Sequence, residues 1–498
     1  MLAMSKQDSL NRSEGIRAHD NSGPTRSSQS GGVLEWSGKL LDRIVFTCLL
    51  ALIVATSIPY GTVEPWWNAI FEALVFTLTG IWLLEVLLRG SWQVKRLHIL
   101  LPLILLTVYA FAQTVPLPAS WFATGNGPGI ARHTLTVDPY QTYLTAVKAL
   151  ALTLFLGLLL LHTSSPRRLR WLVRVVIGLG LASALFGILR QRFQSSDGFV
   201  LAYLFQGIGY GQFIYHNAFS YLMEMVFALL AGLVLGGGVR RDRALIYMAI
   251  AVFVWTAFVF SNSRGGILGF LCQSIFLLSV SLTWYSARRF SSAHGSQSTL
   301  LTFIRTSMLP RVAVIVLMVG VLAVSVLWMG GDRLADKLQE DQEFRQDTPD
   351  GARRVDLWRA SWNLVKQHPF SGVGFGAYFL AIPEYQLVSG RLKFEQAHND
   401  YLDLAASGGA VAVGLAGWFI VMIIRRARSC LGSVDAYRRA ACLGAVAGIL
   451  DVGVHSFLDF CLQLTGIAVV LAALVVIAVA DRVEAVPGKP KGERPTAS

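Results

Sequence analysis

His398, Asn399 and Asp400 stand where a long polar stretch ends and the sequence turns apolar again. A histidine there can act as a general base near neutral pH. It can equally be part of a helix cap whose ring packs against the polar segment, and the residues alone leave the two readings balanced. Asp400 and Asp403 suit a helix N-terminus and would favour a protonated ring nearby. Arg264, in SNSRGG, is preceded by Ser261 and Ser263 and followed by two glycines. Arginine forks grip phosphate in a bidentate way, and glycines let backbones approach closely. An anion site is therefore favoured over an interfacial arginine reaching for headgroups. His216 and Asn217, in GQFIYHNAF, open another apolar run, where local hydrogen bonding and substrate contact are both open readings. Arg190 and Arg192 close a further run. Arg353 and Arg354 lie in a polar stretch, where a solvated face is the default. His455 and Asp459 flank a hinge and are expected to satisfy each other or nearby backbone. Glu72, Glu85 and Glu224 lie in or near apolar runs and read as buried, hydrogen-bonded groups rather than a proton relay.

The elements that must position these residues are membrane helices. The 498 residues are 54% hydrophobic and 15% charged, with mean hydropathy +0.53, whereas soluble domains carry about 25% charged residues. The net charge of +13 reads as basic loops that set topology and not as nucleic-acid binding, since no zinc spacing or basic-aromatic interleaving accompanies it. Five scattered cysteines without a CxxC are packing residues, not a disulfide framework.

A span needs ~20 mostly apolar residues. Such runs fall near 41–59, 68–88, 97–115, 141–162, 169–189, 217–237, 244–260, 265–284, 311–330, 399–424, 440–457 and 461–480. The expected fold is all-α, a polytopic membrane protein of about twelve spans with a partly helical periplasmic loop domain. Residues 1–39 read as a disordered tail, 40–330 as the first nine helices, 331–397 as the loop domain, 398–481 as the last three helices and 482–498 as a second tail. Every second loop is basic, from Arg89, Lys95 and Arg96 to Arg425, Arg426, Arg428, Arg438 and Arg439, while the intervening loops are poor in lysine and arginine. Both termini are then cytoplasmic, and the polar residues above collect at the outer face. In the loop domain, residues 352–367 suggest an amphipathic helix with Trp358, Trp362 and Val365 on one face. The GVGFG after it reads as a flexible turn.

TLTVDPYQT, GQFIYHNAFSYLMEM, SNSRGG, WRASWNLVKQHPFSGVGFGAY and HNDYLDLAASGG occur in that order. Together they resemble the O-antigen ligase and O-antigen polymerase family of the bacterial envelope, over most of residues 40–480. The family pattern at the last motif is His, then Asn, Ser or Gln, nine residues, Gly, two residues and Gly. His398, Asn399 and Gly409 fit, and Ala412 replaces the second glycine. The resemblance implies a glycosyltransferase of the inner membrane, acting at the periplasmic face on a glycan carried by undecaprenyl diphosphate, with no nucleotide sugar, metal or other cofactor. It makes His398 the catalytic histidine and Arg264 an arginine for the donor diphosphate, with Arg190 or Arg192 as a second. His216, Asn217, Asn399, Arg353 and Arg354 are further candidates for substrate contact. The sequence shows no clustered carboxylates to hold a metal. The acceptor would be lipid A-core for a ligase or a second lipid-linked repeat for a polymerase. A solute transporter of the bicarbonate type ranks below both, because polar groups at one face are not binding groups at mid-membrane between inverted repeats.

Overall fold

The computed structural model describes residues 26–90, 94–118, 133–194, 200, 204, 209–292, 354–385 and 395–480. Its helices are α1 (Arg26–Ser57), α2 (Pro65–Arg89), a 3-10 turn (Val94–Leu100) running into α3 (Leu101–Ala112), α4 (Pro139–His162), α5 (Pro166–Phe193), α6 (His216–Leu235), α7 (Arg241–Phe260), α8 (Arg264–Ser292), α9 (Arg354–Gln367), a single turn α10 (Tyr378–Ala381), α11 (Asp400–Leu431), α12 (Ala436–His455) and α13 (Thr465–Val479). No strand occurs among the described residues. Among the described residues eight helices are long and apolar enough to cross a membrane: α1 from Glu35, α2, α4, α5, α6, α7, α8 and α11. Leu97–Ala112 and α13 are shorter apolar helices, and α12 has 20 residues. The expected span at 311–330 lies outside the described residues, as do the tail at 482–498 and much of the expected loop domain. Helix α1 starts at Arg26, inside the segment expected to be a disordered tail.

Local sequence starts these helices where they start. Pro65, Pro139 and Pro166 occupy first-turn positions that need no N–H donor. Asp138 and Ser165 accept the orphan N–H groups of Gln141 (3.1 Å) and Arg168 (3.3 Å). Contacts between helix ends show the up-and-down order. At one end Gly466 N donates to Gly61 O (3.0 Å), Val137 N to Val373 O (2.9 Å) and Asp400 N to Ser456 O (3.0 Å). At the other, Arg168 binds Asp42, Arg426 meets His98 at 2.9 Å and Arg170 lies 5.4 Å from the Tyr437 ring centroid.

Helix α6 is the centre of the bundle and is buried along nearly its whole length. Its closest partner is α12, and glycines set the distance. A Cβ on Gly232 would lie 2.3 Å from Gly444 Cα, and one on Gly444 would lie 2.7 Å from both Ala228 O and Leu229 Cα. Small residues at such a crossing let two backbones touch, which is how helices gain dispersion contact in lipid.

The loop region departs from expectation in two ways. The buried face of α9 is Leu357, Ala360 and Leu364, packed with Val373, Tyr378, Ile382 and Ala406; the expected face was Trp358, Trp362 and Val365. Trp362 is 53% exposed, and Trp358 is anchored through Nε1–H to Ala397 O at 3.1 Å. Helix α9 rests on Ala397 and Ala406 with Leu357, Ala360 and Leu364 turned inward, and Val365 of the expected face packs at the edge of the same cluster. GVGFG is likewise no flexible turn. Val373 N donates to Ala406 O and Gly374 N to Ser407 O, both at 2.9 Å, while Ala410 N donates to Pro369 O at 2.8 Å. These bonds dock the loop onto a break in α11 at Gly409, whose φ of 60° and ψ of −160° are non-helical. A Cβ there would strike Phe370 O at 2.3 Å.

The α6–α12 contact predicts that Gly444→Ala forces the backbones apart and destabilises the bundle by roughly 1–3 kcal/mol, the usual cost of overpacking. Gly414→Ala, where a Cβ meets nothing within 4 Å, is expected to be neutral. Thermal melting of both variants in detergent checks this, and equal melting temperatures would refute the glycine contact.

Candidate functional site

The backbone before α11 is pinned from two sides. Ala397 N donates to Asp403 Oδ2 (3.2 Å) while Ala397 O accepts from Trp358. Asn399 caps α11, its Oδ1 accepting from the N–H groups of Tyr401 and Leu402 at 3.0 Å each. Between these anchors His398 sits at φ 48°, a left-handed conformation uncommon outside glycine and enriched at functional sites. Its ring stands edge-on to Phe460, with centroids 4.8 Å apart. Its Nδ1 faces Asp459 Oδ1 at 3.9 Å, the histidine side chain being 30% exposed and the carboxylate 1%.

Asp459 is held by three donors besides. The Tyr215 hydroxyl donates to both carboxylate oxygens at 3.0 Å, Asn217 Nδ2 donates to Oδ2, and the N–H of Phe460 donates to Oδ1 at 2.9 Å. Burial and the adjacent Asp459 charge push the Tyr215 phenol well above its ordinary range, so it remains a proton donor to the carboxylate. The 3.9 Å gap to His398 exceeds a hydrogen bond, but it is close enough for the carboxylate to stabilise an imidazolium.

Of the two expectations for His455 and Asp459, the mutual pairing is not formed, while Asp459 does accept from nearby backbone, the N–H of Phe460. Those two residues point to different partners: Asp459 serves His398, while His455 Nδ1 pairs with Glu224 Oε2 at 3.0 Å. Tyr215 is not among the residues singled out from the sequence, and Asp459 is, with its own neighbourhood as the first reading. Tyr215 directly precedes the His216-Asn217 pair already singled out, and that adjacency was the available signal.

The remaining candidates separate. Asn217 joins the site through Asp459, and its buried Oδ1 accepts no hydrogen bond from the described residues. His216 is half-buried, its ring 5.5 Å from that of Tyr215. Arg264 is the exposed first residue of α8, next to Ser263, whose Oγ accepts from Gly266 N at 3.2 Å. Arg190 is 2% exposed and donates from Nη1 to Gly211 O at 2.8 Å, in the turn that leads to Tyr215. Arg192 is exposed, about 200° further round α5. Asn399 acts as a helix cap. Arg354 opens α9; its side chain and the whole of Arg353 lie outside what is described.

The opposite end holds a second cluster that the sequence hid. Asp42, Glu85 and His162 bring one ligand atom each within 4.8 Å of one another, contrary to the expectation of no clustered carboxylates. These atoms could ligate a cation. Each carboxylate already has an arginine, however: Arg168 grips Asp42 with both Nη atoms, and Arg89 Nη1 lies 2.8 Å from Glu85 Oε1. His162 Nε2 approaches Glu85 Oε2 at 3.3 Å. This is a charge-balanced network tying α1, α2, α4 and α5. Glu85 and Glu224 are buried and hydrogen-bonded, as expected, and Glu85 has Arg89 as an ionic partner besides.

A search of curated proteins finds no match to the chain. A protein-family model described as O-antigen ligase matches residues 249–419, a stretch that carries Arg264, α9, His398 and Asn399 but not Arg190, Asn217 or Asp459. With its motifs in order and this match, the stretch from α7 through the first part of α11 is similar to the O-antigen ligase family.

Proposed function

We propose that this protein is a membrane glycosyltransferase that moves a glycan from undecaprenyl diphosphate to an acceptor hydroxyl at the periplasmic face of the inner membrane. The observation that carries the reading is His398 facing the buried Asp459 carboxylate at the end of the bundle that also presents Arg264. The basic residues Arg168, Arg426 and Arg439 lie at the other end, and by the positive-inside tendency that end is cytoplasmic.

In the proposed reaction the acceptor hydroxyl transfers its proton to His398 as its oxygen attacks the anomeric carbon. A new glycosidic C–O bond forms and the bond to the diphosphate oxygen breaks. Asp459 stabilises the imidazolium, and Tyr215 and Asn217 keep that carboxylate aimed. Arg264 stabilises the charge gathering on the departing diphosphate, with Arg190 as the second cation because it is fixed beside the turn into Tyr215 and Asn217. His216 and Asn399 shape the rim. Lipid A-core as acceptor makes the protein a ligase; a second lipid-linked repeat makes it a polymerase.

Purified protein with a lipid-linked oligosaccharide donor tests this. Transfer to lipid A-core, or growth of the donor itself, is expected for wild type. His398→Ala should lower the rate roughly 10²–10⁴-fold and Arg264→Ala roughly 10²–10³-fold. Full activity in both variants would overturn the site. Asp459→Asn tests the dyad separately: the rate falls, and the acid limb of the kcat/KM profile moves to lower pH because the imidazolium has lost its neighbouring carboxylate. An unmoved limb would remove Asp459 from the mechanism.

A further inference from the structure

Beneath the site lies a group of buried polar side chains to which the mechanism assigns nothing. Glu224 on α6 and His455 at the end of α12 are both fully buried and pair at 3.0 Å. Ser220 donates a hydroxyl to Glu224 Oε1. Tyr221 stacks on the His455 ring at 3.9 Å and 17°, so the imidazole has one available plane. Asp451, also fully buried, lies on the same face of α12.

Helix α8 lies directly on this group through glycines. A Cβ on Gly265 would fall 2.5 Å from His455 Cδ2 and 2.7 Å from its Nε2. One on Gly266 would fall 2.2 Å from Ser220 Oγ and 2.3 Å from Glu224 Oε1, and one on Gly269 would fall 2.5 Å from Asp451 Oδ1. His455 Nε2 is also 3.4 Å from Ser263 Oγ, the hydroxyl that caps the first turn of α8. Arg264 is thus held between two residues that both rest on one imidazole. The same imidazole ends α12, where Leu458 N bonds back to His455 O at 2.8 Å, and the next residue is Asp459.

We propose that Glu224 and His455 are positioning residues: the Glu224-oriented imidazole is the seat for the turn that carries Arg264. Buried polar groups in lipid surroundings are costly unless they are well bonded, and an apolar contact would seat a helix end without them. The pair supplies a fixed direction, which a guanidinium must have to meet a diphosphate bidentately. This inference rests on the reading of Arg264 as the donor's arginine.

The test is steady-state kinetics with the lipid-linked oligosaccharide donor and its acceptor varied separately, on wild type, Glu224→Gln, Ser263→Ala, Arg264→Ala and the two doubles carrying Arg264→Ala. Glu224→Gln keeps the shape of the buried group, and Ser263→Ala leaves the pair untouched, so at least one folded variant is available; melting temperature identifies it. The expected result is a fall of about 10- to 100-fold in donor kcat/KM, the scale of a small misplacement of a reacting group, with the acceptor KM unchanged. Adding Arg264→Ala to either variant should cost little more than Arg264→Ala alone, since the pair acts through that residue. Wild-type donor kinetics in the folded variants, equal effects on donor and acceptor, or fully additive doubles would overturn the positioning role while leaving Arg264 in place. Arg264→Ala behaving as wild type would instead overturn the functional reading itself.

Discussion

A carboxylate buried among membrane helices has to be answered by a partner, because neither water nor lipid will do it. Three of the four buried carboxylates among the described residues are answered across helices. Glu85 on α2 meets Arg89 and, from α4, His162. Glu224 on α6 meets His455 at the end of α12. Asp459, in the hinge after α12, meets Tyr215 and Asn217 at the start of α6. In each case the cost of burial is offset only if separate helices arrive in register, so the pairs specify the arrangement as much as they stabilise it. The last pair has a consequence for chemistry. Once Tyr215 and Asn217 hold Asp459, the side of the carboxylate that faces the His398 imidazole is fixed.

Glycine decides how near the helices can come for these pairs to form. Gly232 and Gly444 bring α6 and α12 to backbone contact, which places Glu224 and His455 within bonding distance. Gly265, Gly266 and Gly269 then let α8 settle on that pair. At Gly409 the role is conformational: the break in α11 exposes backbone groups of Ala406, Ser407 and Ala410 that the loop at 369–374 satisfies. The loop is thereby tied to the same helix that His398 precedes, and Gln113 of the α3 end adds a bond to Ser371 O at 2.8 Å. Ala412, where the family pattern has glycine, is fully buried with its Cβ 2.4 Å from the position a Cβ on Gly408 would take. The methyl fits there only because Gly408 has none.

What the sequence disclosed follows from which forces act locally. Spans are legible because hydrophobic length is a local property, and helix starts at Pro139, Pro166 and Asn399 are legible because caps are local too. His398 and Arg264 stood out by being ionisable at the mouth of a helix. Partners were not legible. His455 and Asp459 lie one helical turn apart, which invited pairing them; in fact the turn from Ser456 to Leu458 sends one toward α6 and α8 and the other toward α11. The face of α9 was misjudged for a related reason. Large aromatic residues were taken as the buried ones, but an interface helix resting on alanines buries Leu357 and Leu364 and leaves Trp362 outside.

Charge at the candidate site is divided by element. The acids belong to α11 and the hinge: Asp400, Asp403 and Asp459, with His398 among them. The exposed cations belong to α5 and α8: Arg192 and Arg264, with Arg190 buried behind. The starts of α6 and α8 add their partial positive charge on the same side as the arginines. A group that must take up a proton gains from acidic neighbours, whereas a group that must hold a departing anion would be hindered by them. At the opposite end, by contrast, Arg168 and Asp42 of different helices pair directly. Here the two sets stand on separate helices, an arrangement fixed by the fold. It explains why α6, with Tyr215 and Asn217 at its start and Glu224 within it, is the most buried helix in the bundle: it is the element that both halves share.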